Sequence, residues 1–190
     1  NSENNSNYLN KFSDGGGFYL YNASLELYNS TISHNTASTA GGIYANGSTI
    51  SAESSDINHN VSTYSLSSSY GSGGGIHLSS SNLDFNQGNI TNNQSGMYGG
   101  GVYSISSTLN FVSSTISDNQ AYTYGGGIYC NGNDVLTIDQ SNIDRNKAIN
   151  NQGGGIYVVN STFNMQSSTV DFNESDSNGG GIRANSAYPF

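Results

Sequence analysis

Apolar side chains recur along this chain in sets of three, spaced seven residues apart. The first members of the sets are Phe18, Ile43, Ile76, Val102, Ile128, Ile156 and Ile182. The second members are Leu25, Ile50, Leu83, Leu109, Leu136 and Phe163, and the third are Ile32, Ile57, Ile90, Ile116, Ile143 and Val170. One interval is irregular: Leu136 follows Ile128 by eight residues. Around each centre polarity alternates with period two, as in Leu83-Asp84-Phe85, Leu109-Asn110-Phe111 and Phe163-Asn164-Met165. That is the period of a strand and not of a helix. The sets repeat at steps of 25, 33, 26, 26, 28 and 26 residues. A repeat of this length buries its apolar face by stacking on its neighbours, which is the definition of a solenoid. The pattern predicts an all-β, right-handed parallel β-helix with three short strands per coil and about six to seven coils. Coils stacked about 4.8 Å apart give a rod roughly 30 Å long.

Three further regularities accompany the apolar frame. A glycine run precedes each first anchor, as in Gly73-Gly74-Gly75-Ile76 and Gly125-Gly126-Gly127-Ile128. An asparagine follows each third anchor by three residues: Asn35, Asn60, Asn93, Asn119, Asn146 and Asn173. Stacked coil on coil, these amides satisfy one another and the turn backbone, so an internal asparagine ladder is expected. Directly after the first anchor come Tyr19, Tyr44, His77, Tyr103, Tyr129, Tyr157 and Arg183. By period two these point outward, and the six rings are expected to form a surface aromatic ladder. Such a row either stacks on itself as cross-strand neighbours do, or serves as a track for sugar rings or a partner.

A repeat reading Ile-x-x-Asn-x-Ala/Ser, then a variable stretch, then Gly-Gly-Gly-Ile resembles the repeats of the chlamydial polymorphic outer membrane proteins. That family pairs an FxxN motif with a GGA[ILV] motif, and the similarity runs from about residue 15 to 184. The resemblance implies a surface-displayed, β-helical adhesin passenger. The chain departs from it in using Ile or Val for Phe and Gly for Ala, and nothing in it resembles an autotransporter barrel. The same solenoid resembles the pectin-lyase-like superfamily, which implies carbohydrate binding or carbohydrate-active chemistry as the alternative.

Residues 15–190 are expected to form one β-helix domain, with a loop insertion at 61–72 in the long second coil. Residues 1–14 are expected to be a partial coil or cap, because Asn10 precedes Phe18 by the same interval that separates Asn35 from Ile43. The start Asn1-Ser2-Glu3 reads as a mature form or a piece of a longer protein.

Composition narrows the partners. Charged residues are only 9% of the chain, yet the net charge is −9, with Lys11, Arg145, Lys147 and Arg183 the basic side chains. A chain without a basic patch cannot neutralise phosphates, so nucleic acid is not an expected partner. There is no apolar run of membrane-spanning length. The single cysteine, Cys130, falls on an inward strand position and reads as a core thiol. Nine Asn-x-Ser/Thr sequons occur. Of these Asn60, Asn93 and Asn173 belong to the ladder, whereas Asn22, Asn29, Asn46, Asn89 and Asn160 sit at turns or outward positions and are the N-glycosylation candidates. These features place the chain outside the cell or at its surface.

Catalytic chemistry finds no foothold. Glycoside hydrolysis needs paired carboxylates on one face. Here Asp84, Asp118, Asp144 and Asp171 are scattered over turns and outward faces. The closest approach to a lyase-like calcium cage is Asp144 with Arg145 and Asp171. His34 and His59 are equivalent in adjacent coils but have no third ligand, so a solvated pair is expected and neither metal nor cofactor is. The expected function is a non-catalytic structural or adhesive rod. Its expected partners are further copies joined head to tail, glycans and cell-surface molecules.

Overall fold

The computed structural model describes residues 14–63 and 71–187. Its strands are all parallel and lie in four sheets that run the length of the solenoid. The first sheet holds Phe18–Tyr21, Ile43–Asn46, Ile76–Ser79, Val102–Ile105, Ile128–Asn131, Ile156–Val159 and Ile182–Asn185, in that spatial order. The second runs from Ser24–Tyr28 through Asn82–Asn86 to Thr162–Gln166, and the third from Thr31–Ser33 through Asn89–Thr91 to Thr169–Asp171. Register follows the apolar sets: Ile50 pairs with Leu83, Leu83 with Leu109, and Ile90 with Ile116.

The three expected strands of each coil are present, and a fourth sheet of two-residue strands joins them. It comprises Thr36–Ala37, Val61–Ser62, Gln94–Ser95, Gln120–Ala121, Lys147–Ala148 and Glu174–Ser175. The inward residue of each is only Ala or Ser, so no bulky apolar centre marks the strand. The expected loop at 61–72 is narrower than the sequence reading. Val61–Ser62 pairs within the fourth sheet, Thr63 N–H still donates to Ala37 O at 2.9 Å, and Ser72 rejoins the stack against Tyr98. Residues 64–70 of that insertion, and residues 1–13 of the expected cap over 1–14, lie outside the described residues.

The core is one continuous cluster. Ile43, Ile50, Ile57, Ile76, Leu83, Ile90, Leu109, Ile116, Ile128, Leu136 and Ile143 have no solvent exposure. Phe163 and Val170, in the last complete coil, are half-buried.

Each coil closes through four corners, and each of the first three carries a residue with positive φ. Between the first and second sheets these are Asn22, Gly47, Ser80, Ser106, Asn133 and Asn160, and between the third and fourth they are His34, His59, Asn92, Asp118, Arg145 and Phe172. Left-handed backbone costs a non-glycine residue about 1–2 kcal/mol. The small polar residue that follows offsets part of this by capping the corner. Ser81 N–H donates to Ser107 Oγ at 3.0 Å, and Ser114 N–H donates to Ser141 Oγ at 3.0 Å. At the fourth corner the glycines are obligatory. A Cβ on Gly125 (φ +63°) would stand 2.4 Å from Ile128 O, and one on Gly127 would stand 2.6 Å from the Gly155 O of the next coil.

Candidate functional site

The outward rings of the first sheet stack from coil to coil. Centroids are 5.2 Å apart for Tyr19–Tyr44, 5.0 Å for Tyr44–His77, 4.6 Å for His77–Tyr103, 5.5 Å for Tyr103–Tyr129 and 5.4 Å for Tyr129–Tyr157. The Tyr19 and Tyr44 planes differ by only 4°. Such stacking spends each ring face on its neighbour and leaves edges and hydroxyls outward. A pyranose ring packs on an aromatic face, so the ladder's geometry suits cohesion between coils better than a sugar track.

The ladder is a surface feature only at its beginning. Tyr19 is 56% exposed, but Tyr129 and Tyr157 are 8% and 9% exposed, which corrects the expectation of a surface ladder along the whole row. The cover comes from a second aromatic row that the sequence reading missed. Tyr98 stacks on Tyr129 at 5.3 Å, and Tyr124 lies 5.1 Å from Tyr157. Its signal was a tyrosine directly before the glycine run, in Tyr98-Gly99 and Tyr124-Gly125. Burial raises the pKa of Tyr44, Tyr103 and Tyr129 above the usual phenol range, so none of them is poised as a base. Where the other coils have tyrosine, His77 places a buried Nδ1 with no hydrogen-bond partner, and burial pushes the ring's pKa down to about 4.

The asparagine ladder is present and its four inner members are buried: Asn60 and Asn146 are 0% exposed, Asn93 and Asn119 1%, with Asn35 and Asn173 at its ends half-buried. Asn93 Nδ2 donates to Asn119 Oδ1 at 3.0 Å and to Ile57 O at 2.8 Å. The same Oδ1 accepts from Asn93 N–H at 2.9 Å. Asn35, Asn60, Asn119 and Asn146 repeat the side-chain link to the next coil, and Asn173 is the last acceptor. Every polar atom of such a rung is occupied, so the row is structural.

Among the glycosylation candidates, Asn22, Asn29, Asn89 and Asn160 are exposed and Asn46 is half-buried. Asn22, Asn29 and Asn160 stand on positive-φ corners, with φ of 49°, 45° and 48°. Asn89 is engaged by its own Nδ2, which donates to Asp56 Oδ1 at 2.8 Å.

The carboxylates do not converge. Asp84 is exposed and accepts from Asn110 Nδ2 at 2.8 Å. Arg145 Nε donates to Asp118 Oδ1 at 2.9 Å, and its Nη2 donates to Asp118 Oδ2 at 3.1 Å, holding that carboxyl below its usual pKa. Asp144, expected to be outward, is only 6% exposed because Arg145 folds over it and Nη1 donates to Oδ2. Asp171 remains exposed beside it in the sheet. Among the described residues no three His, Cys, Asp or Glu side chains gather as a metal cage. Cys130 is fully buried, and burial raises its thiol pKa well above normal.

The carboxylate with the strongest environment, Asp134, was not singled out in the sequence. It occupies the corner row held elsewhere by Ser48, Ser81, Ser107 and Ser161. Coil five has one extra residue at that corner, the source of the eight-residue interval, and Gly132 (φ 83°) and Asn133 (φ 66°) widen it. A longer side chain spans the gap. Asp134 Oδ1 accepts from Ser107 N–H at 2.7 Å and Ser104 Oγ–H at 2.8 Å, while Oδ2 accepts from Asn131 N–H at 2.7 Å. Burial pushes its pKa up to about 6, against the pull of those three donors.

Comparison with curated proteins and with solved structures gives no match. The family model described as a right-handed beta helix region matches residues 16–188, nearly the whole length, and the chain belongs to that family.

Proposed function

We propose that this chain is a non-catalytic, extracellular structural or adhesive rod module, glycosylated at its exposed corner asparagines. The observation that carries the reading is the self-satisfaction of its ladders. Aromatic faces lie against aromatic faces, and amides bond to amides one coil away. The tyrosine and asparagine side chains of these rows are committed to holding coils together. A groove of about 550 Å³ is lined by Val61, Thr63, Gln94, Gly96, Tyr122 and Ile149, with no carboxylate or imidazole among its lining residues to act as an acid–base pair. The likeness to chlamydial surface-protein repeats supports display outside the cell. Head-to-tail association belongs to the same reading, because coils that pair through parallel, in-register strands can pair in the same way with a further copy.

The test is incubation with neutral and acidic polysaccharides, together with a cell-binding assay and sedimentation over a concentration series. The module is expected to release no product, to bind surfaces, and to grow in mass with concentration. Release of unsaturated or reducing ends would sink the non-catalytic reading and favour the carbohydrate-active alternative.

A further inference from the structure

We propose that His34 and His59 form a two-imidazole site for a borderline divalent transition ion, Cu²⁺, Ni²⁺ or Zn²⁺, that staples the first two coils at their third corner. The proposal stands apart from the rod reading and does not depend on it. The chain has three histidines, and two of them share one corner row in adjacent coils. Their φ angles are 58° and 54°, and the strands before them pair in register, Ser33 with Asn58. Both side chains therefore leave the backbone in the same direction. Both are exposed, and the rings are parallel, with centroids 4.9 Å apart and an interplanar angle of 0°.

The tautomer also favours binding. His59 Nδ1 lies 3.1 Å from Asn58 Oδ1. An amide oxygen only accepts, so in the neutral ring Nδ1–H donates to it and the lone pair sits on Nε2, facing solvent. A second hydrogen bond of this kind is what orients metal-ligating imidazoles. Chelation at a metal–nitrogen distance of about 2.0–2.1 Å requires the rings to tilt together. Their exposed terminal torsions are broad and permit it. Imidazole pairs suit copper, nickel and zinc, with water filling the remaining positions. The net charge of −9 raises the local concentration of cations around the rod.

Titration of untagged, chelator-stripped protein with NiCl₂ or CuCl₂ by calorimetry at pH 7.5 tests the site. One ion per chain is expected. His34→Gln and His59→Gln should each weaken binding at least tenfold, and His77→Tyr should leave it unchanged. Asn58→Ala, with both imidazoles kept, should weaken it about tenfold by freeing the ring. Zinc should raise the melting temperature of the wild type and not of His34→Gln. Equal affinity in wild type and either single variant, two independent ions per chain, or binding retained by the double variant would overturn the proposal.

Discussion

Asp134 and His77 should pull the stability of the rod in opposite directions over the same pH range. For Asp134 the folded pKa is raised from 3.8 to about 6. Between those values the native state holds more protons than the unfolded chain, so stability falls as pH rises. The full change is about 3 kcal/mol at roughly 1.4 kcal/mol per pKa unit, present below pH about 4 and lost above about 6. For His77 the folded pKa is lowered from 6.5 to about 4. There the unfolded chain holds more protons, so stability rises with pH by about 3 kcal/mol, present above pH about 6.5 and lost as pH falls through about 4. The two slopes nearly cancel in the wild type. Asp134→Ser installs the residue of the other coils, and His77→Tyr installs the ladder's usual ring. Urea unfolding from pH 3.5 to 7.5 should show a profile for Asp134→Ser that climbs with pH relative to wild type. His77→Tyr should show one that descends, and the double variant should regain the wild-type shape. Asp118 and Glu174, held low by Arg145 and Lys147, act alike in all four proteins and drop out of the differences. Parallel profiles for wild type and Asp134→Ser would refute the assignment of a buried, ionised carboxylate to that corner.

Other perturbations follow from the ladders and corners. Asn119→Ala strands Asn93 N–H and Ile90 O in the interior and should cost about 2–4 kcal/mol by chemical denaturation, against less than about 0.5 kcal/mol for Asn110→Ala on the half-buried outward face. Gly101→Ala puts a Cβ 2.8 Å from Gly127 O and 3.1 Å from Asn119 Nδ2, so it should destabilise by about 1–3 kcal/mol and lower the melting temperature. Secreted from a eukaryotic host, the chain should carry glycans at Asn22, Asn29 and Asn160, more weakly at Asn46 and Asn89, and none at Asn60, Asn93 or Asn173. Peptide mapping by mass spectrometry after deglycosylation in heavy-oxygen water reads this directly.

What the sequence made legible was whatever repeats at fixed spacing and carries bulk or an unusual side chain. Ile90, Asn93 and Tyr103 each announce their row because the row is uniform. The fourth sheet stayed hidden because Ala37 and Ser62 are too small to signal burial. The serine caps blended into a serine-rich background, and Asp134 was visible only as one late leucine, Leu136. Burial of Tyr129 and Tyr157 was out of reach for a different reason. It depends on how the variable stretches before Gly99 and Gly125 fold back, and no periodicity encodes that. Asp144 likewise needed the path of the Arg145 side chain.

The corner caps have a consequence for how such a rod can diversify. At the first three corners the capping side chain bonds to the neighbouring coil, as Ser107 accepts from Ser81 N–H and Asn119 from Asn93 N–H. An added residue there must be absorbed by two coils at once, and coil five shows what one such addition demanded: a longer, acidic cap. Among the described residues, the stretch ahead of each glycine run carries no such cap repeated from coil to coil, and there the repeat length ranges from 25 to 33 residues. Novelty is therefore channelled to a single seam along the rod. New binding or partner specificity can be grafted along that line, one coil at a time, while the other three edges hold the frame.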